Sequence, residues 1–159
     1  MTEAMMSAHE ALATRRSVRR FLDSPVPQES VHKILRGAAQ SPSGHNIQPW
    51  KVYVVSGVTK QNVTDSILHA VANDPEEMHQ PEFEYYPPEW FEPYLGRRRA
   101  VGSRLYECLG IARDDHEART RQMNENFCFF GAPLGMFITF DRRLATGTFM
   151  DIGMFLQSI

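Results

Sequence analysis

The last eleven residues, 149–159, read FMDIGMFLQSI and leave only Asp151, Gln157 and Ser158 polar. A helix that is apolar on nearly every side has no face to give to water, so it must be covered all round by a core or by a second chain. Left bare, such a helix would expose more apolar surface than monomers tolerate, and the sequence therefore predicts a dimer. The sequence also stops at Ile159 inside this helix, with no glycine or asparagine to cap it. The expectation is that the 159 residues are part of a longer protein.

With 159 residues and 18.2 kDa, the chain suits a single domain spanning residues 1–159. A net charge of -2 removes any whole-protein case for a nucleic-acid partner. The N-terminus lacks the apolar run of a secretion signal and no later segment is long enough to span a membrane, so the expected location is cytoplasmic. On that reading the acceptor pattern Asn62-Val63-Thr64 is accidental. Cys108 and Cys128 lie too far apart for a CxxC motif and are expected to be small core residues.

Ser7 and Glu10 form a possible capping box before a short helix ending near Arg15. Pro25 and Pro27 bracket a turn, after which Val31, Ile34, Leu35 and Ala38 mark one face of a helix. Residues 41–50, SPSGHNIQPW, hold two prolines among turn formers and must be a structured loop. A strand follows over residues 51–55, then a helix capped by Thr59 and running to about Ala72. Residues 73–95 are dense in acids, prolines and aromatics, which predicts an ordered excursion without regular structure. Between residues 96 and 111, Val101, Leu105, Cys108 and Leu109 form an apolar stripe, and a further helix is expected from about 115 to 127. Both helices should pack on the sheet, whose second strand is residues 134–140.

Two segments could carry chemistry. Residues 15–21, RRSVRRF, place guanidinium groups and a hydroxyl at a helix end, a set that matches the oxygens of a terminal phosphomonoester. The same residues would equally make a solvated basic turn facing Glu or Asp. The loop 41–50 can present amide dipoles and backbone N–H groups to the edge of a polar heterocycle, or be an ordinary connection. Other patterns fail: there is no GxGxxG after a strand, no phosphate-loop Lys, no GxSxG, and His69 with His79 lacks a third metal ligand. The run Arg97-Arg98-Arg99 could form an anion or substrate-entry patch, but better suits a solvated helix face salt-bridged to the acidic excursion.

Taken together, RRSVRRF, AQSPSGHNIQPWKVYVV, NFCFFGAPLGMFITFDRR and DIGMFLQSI occur in the order found in the nitroreductase family of flavoenzymes, which the chain resembles from about Arg15 onward. The resemblance implies an α+β fold with a mainly antiparallel sheet flanked by helices, assembled as a homodimer with FMN at the interface. It further implies that Arg15, Arg16, Ser17 and Arg19 grip the phosphate and ribityl chain, while Pro42, Ser43, Gly44 and Asn46 reach the flavin from the other subunit. Gln48 and Trp50 would shape the loop, and His45 receives no role.

In an enzyme of this type NADH or NADPH reduces the flavin, which then reduces a nitroaromatic or quinone in a ping-pong cycle, with no protein residue required as acid or base. Substrate choice would fall to Tyr85, Tyr86, Trp90, Phe91 and Tyr94, whose rings could stack on an aromatic compound. A flavin-binding carrier without turnover, or a related flavin reaction such as reductive dehalogenation, ene reduction or flavin fragmentation, fits the same fold.

Overall fold

Two runs rich in β-branched and aromatic residues pair with each other. Strand β1 (Lys51–Ser56) lies antiparallel to β2 (Leu134–Thr139), with Lys51 opposite Thr139 and Ser56 opposite Leu134. The computed structural model describes residues 6–73, 79, 81 and 83–159, and among them these two strands form the sheet. Gly135 in β2 is buried under the Phe129 ring, so closely that a Cβ there would stand 2.3 Å from a ring carbon. The ring is brought in by a turn in which Phe129, Phe130 and Gly131 all take left-handed φ values.

Helix α1 (Ala8–Thr14) carries the expected capping box: the Glu10 amide donates to Ser7 Oγ at 3.2 Å, and the Ser7 amide donates to Glu10 Oε2 at 2.8 Å. The Ser7 amide, and then the Ser7 hydroxyl donating to Glu10 Oε2 at 2.7 Å, favour the ionised carboxylate and hold the Glu10 pKa below its usual value. Helix α2 (Gln28–Ala38) follows Pro27 and buries Val31 and Ala38. Helix α3 (Gly57–Asn73) starts two residues before the expected Thr59 cap, because Gly57 at φ +51 turns the strand directly into the helix. It packs on both strands, and its buried Thr64 donates from Oγ1 to the Phe127 carbonyl at 3.1 Å.

The next two helices depart from expectation. Helix α4 (Tyr94–Leu109) ends where Gly110 turns left-handed, and α5 (His116–Asn124), capped by Asp115, stops short of Phe127 where the 129–131 turn begins. Neither contains a buried residue. Of the α4 stripe expected to face the sheet, Val101 is 69% exposed and Cys108 and Leu109 are exposed as well, while Leu105 is half-buried and shares a cavity wall with Phe130. Cys128 is only partly covered, so neither cysteine is a core residue. It is α3 that packs on the sheet.

Helix α6 (Thr148–Ser158) packs on α2 and buries one face: Thr148, Asp151, Ile152 and Phe155. Phe155, 1% exposed, is the largest fully buried side chain among the described residues and stacks on Trp50 with centroids 4.8 Å apart. The remaining sides are only partly covered by this chain, with Phe149 meeting Phe83 and Phe140 at 4.7 and 5.0 Å between ring centroids. Phe149, Met150, Met154, Leu156 and Ile159 are exposed, Met150 to 72%. The all-round burial expected of this helix is therefore met on one side only.

Candidate flavin site

The loop between α2 and β1 is tied down from beneath by α6. Ser41 is buried and its Oγ donates to Ser158 Oγ at 2.8 Å, while Ser158 in turn donates to the Met154 carbonyl at 2.9 Å. Asp151, also buried, accepts the Gly44 amide on Oδ1 at 3.1 Å. Within the loop the Gln48 amide donates to Ser43 Oγ at 2.9 Å and Gln48 Nε2 donates to Asn46 Oδ1 at 3.1 Å. Trp50 fixes the exit of the loop against Phe155.

These bonds hold an unusual backbone. His45 at φ 51, Asn46 at φ 56 and Gln48 at φ 47 are all left-handed without being glycine. Each such residue costs on the order of 1–3 kcal/mol, with asparagine toward the low end, and persists only where the surroundings over-determine it. The result is a rigid, exposed rim on which Pro42, Gly44 and Asn46 face solvent and Ser43 is half-buried.

Arg15, Arg16, Ser17 and Arg19 lie in extended, exposed chain after α1. Arg16 Nη1 donates to the carbonyls of Ala13 and Arg15 at 3.3 and 2.9 Å, and Arg15 reaches Ser17 Oγ at 3.5 Å. Among the described residues no carboxylate pairs with Arg15, Arg16 or Arg19; the ion pairs found are Arg121–Glu117 and Arg143–Asp141. Each guanidinium retains most of its donor groups for an anion. Arg19 also borders a cavity of about 680 Å³ with Phe21, Leu105, Arg121, Glu125 and Phe130.

No hydrogen bond or ion pair joins this cluster to the loop among the described residues. The five aromatic candidates fall into two groups of ring contacts. Tyr85 meets Tyr86 at 4.7 Å, Tyr86 meets Trp90 at 5.3 Å, and Phe91 meets Tyr94 at 5.1 Å. The Arg98 guanidinium stands 4.8 Å over Trp90 and that of Arg97 5.8 Å over Tyr94, so these arginines rest on rings. Part of the 73–95 excursion, at residues 74–78, 80 and 82, lies outside the described residues. Among those described, no group of three or more potential metal ligands occurs and no helix is long and apolar enough to cross a membrane.

Ser41, Asp151 and Ser158 were not singled out for the site by sequence reasoning. Asp151 had a signal: a carboxylate in an otherwise apolar helix is tolerated in the interior only with a partner. Which partner was not visible, because Gly44 is 107 positions away.

The family model described as "Nitroreductase family" matches residues 12–159. A chloronitrobenzene nitroreductase from Comamonas testosteroni is 39% identical over 150 residues, 94% of this chain and 66% of the relative. The structure superposes on the FMN and NADPH-dependent nitroreductase NfnB from Sphigopyxis sp. strain HMH with a TM-score of 0.90 and 42% identity, covering 96% of this chain and 68% of that one. The FMN-dependent nitroreductase NfnB from Mycobacterium smegmatis, in complex with NADPH, gives 0.85 and 32%, covering 95% and 67%. The chain thus spans about two thirds of the length of the proteins it matches.

Proposed function

We propose, since the chain belongs to the nitroreductase family, that it is an FMN-dependent oxidoreductase that uses NADH or NADPH to reduce nitroaromatics and related electron-poor compounds. The observation that carries this reading is the set of three guanidinium groups, Arg15, Arg16 and Arg19, held on exposed chain without an acid partner among the described residues. Such groups suit a dianionic terminal phosphate, and their neutral neighbour Ser17 suits the polyol beside it. The donor set fits FMN better than a dinucleotide, whose phosphates are diesters.

FMN, when bound, supplies the redox chemistry, passing electrons from the nicotinamide to the acceptor. The residues of the chain bind and orient. Arg15, Arg16, Ser17 and Arg19 hold the phosphate end, and the rim at Pro42, Ser43, Gly44 and Asn46 meets the ring system from a second copy. That second copy would also cover the bare side of α6. Tyr85, Tyr86, Trp90, Phe91 and Tyr94 form the aromatic wall that selects flat substrates. Dependence on a nicotinamide reductant made inside the cell supports a cytoplasmic location.

The absorption spectrum of the purified protein tests the reading, with a flavin band expected and FMN released on heating. A chain that stays colourless and takes up no FMN on titration refutes it. Anaerobic bleaching of the bound flavin by NADH or NADPH separates an enzyme from a carrier. Sedimentation at micromolar concentration with FMN present should give a dimer mass, and a monomer would overturn the shared site.

A further inference from the structure

The loop at 41–50 holds a strained turn whose centre is tied to α6 by the buried Asp151. Its turn at 44–46 is left-handed at His45 and Asn46, and again at Gln48, a conformation that side-chain-bearing residues leave when nothing holds them. The internal bonds from Gln48 to Ser43 and Asn46 keep the loop folded upon itself but do not fix it to the body of the protein. Contacts to α6 do so: Ser41 to Ser158 at the loop entry, Asp151 Oδ1 to the Gly44 amide at its centre, and Trp50 on Phe155 at its exit. Ser41 immediately follows the α2 end and lies before the strained residues. Asp151 acts on the turn itself.

We propose that Asp151 is the positioning residue of the cofactor loop: its buried carboxylate on α6 accepts the Gly44 amide and thereby holds residues 43–48 in the one backbone shape that presents Ser43, Gly44 and Asn46 to the flavin. The inference rests on the reading that this loop binds FMN. Asp151 lies on the same buried face of α6 as Ile152 and Phe155, so the clamp point is set by the core, through Phe155 under Trp50. Without the acceptor, the strained turn has other conformations to relax into, and only the fraction that stays competent binds. The apparent dissociation constant then rises by the inverse of that fraction.

The test pairs two readouts on Asp151→Ala and Asp151→Asn, the second of which keeps an oxygen acceptor for the Gly44 amide. In the FMN-free protein, hydrogen exchange at the Gly44 amide should accelerate by about tenfold or more in Asp151→Ala, the size of one lost hydrogen bond to a charged group. The FMN dissociation constant should rise by about tenfold in step with it. Asp151→Asn should bring both back to within about threefold of the parent while the far-UV spectrum is unchanged throughout. Should Asp151→Ala not fold, Gly44→Pro takes its place: it removes the donor, leaves α6 intact, and suits a first helical position preceded by Ser43 at ψ 155.

Unchanged FMN affinity in Asp151→Ala, or in Gly44→Pro if that is the variant read, overturns the proposal while leaving the flavin reading in place. So does an asparagine variant no better than alanine. Unchanged Gly44 exchange in Asp151→Ala overturns the clamp whatever the cofactor does. A parent protein that takes up no FMN removes the flavin reading and the role of the loop within it. In that case faster Gly44 exchange in Asp151→Ala would still establish the bond as a structural one.

Discussion

Phe155→Ala should be among the most damaging single substitutions available outside the cofactor contacts. The ring is 1% exposed, packs between α6 and the rest of the core, and stacks on Trp50 at 4.8 Å with 19° between planes. Truncating a fully buried phenylalanine costs roughly 3–5 kcal/mol, including the cavity left behind. Loss of the stacked pair accounts for about 0.5–1.5 kcal/mol of that. A domain of this kind has on the order of 5–15 kcal/mol in total, so between a fifth and all of the stability disappears. Urea unfolding followed by far-UV circular dichroism gives the number, and tryptophan fluorescence in a Trp90→Phe background reports on Trp50 alone. Because Trp50 ends the 41–50 loop, FMN affinity should fall with it. Met150→Ala on the same helix is the control, being 72% exposed, and in dilute monomer should cost less than about 0.5 kcal/mol. A Phe155→Ala loss below about 1 kcal/mol would refute the assignment of α6 to the core and with it the support of the loop.

Arg19→Ala should weaken FMN binding by roughly 1–3 kcal/mol, the range of a lost charge-assisted hydrogen bond, measured by flavin fluorescence titration; an unchanged constant would make the 15–19 segment a plain solvated turn. Gly135→Ala drives a methyl group to within 2.3 Å of the Phe129 ring and should destabilise by roughly 1–3 kcal/mol in thermal unfolding, unless the 129–131 turn can shift. The Asp141 carboxyl is held at about 2, first by the Arg143 side chain and then by its backbone amide. A folded pKa below the unfolded one means this pair contributes above about pH 4 and is lost as the pH falls toward 2, so Arg143→Ala should flatten the acid limb of the stability curve over that window. The effect should shrink in high salt, since the pair is solvent-exposed, and a salt-independent limb would point elsewhere.

Local chemistry was written in the sequence. Ser7 and Glu10 specify their capping box, and the prolines of 41–50 exclude regular structure there, both through interactions within a few residues. The order RRSVRRF, SPSGHNIQPW and DIGMFLQSI was enough to place the chain in its family, and the periodicity of 149–159 announced a helix needing cover on every side. Tertiary structure decided what local patterns leave degenerate. An apolar stripe says only that a face prefers to leave water, not which neighbour receives it, and so Val101, Cys108 and Leu109 on α4 proved bare while α3 took the sheet. The reach of Asp151 across 107 positions to the Gly44 amide depends on how α2 and α6 meet. Hydrogen bonds are short-ranged and directional, so a bond between distant parts of the chain exists only once packing has brought its two ends together.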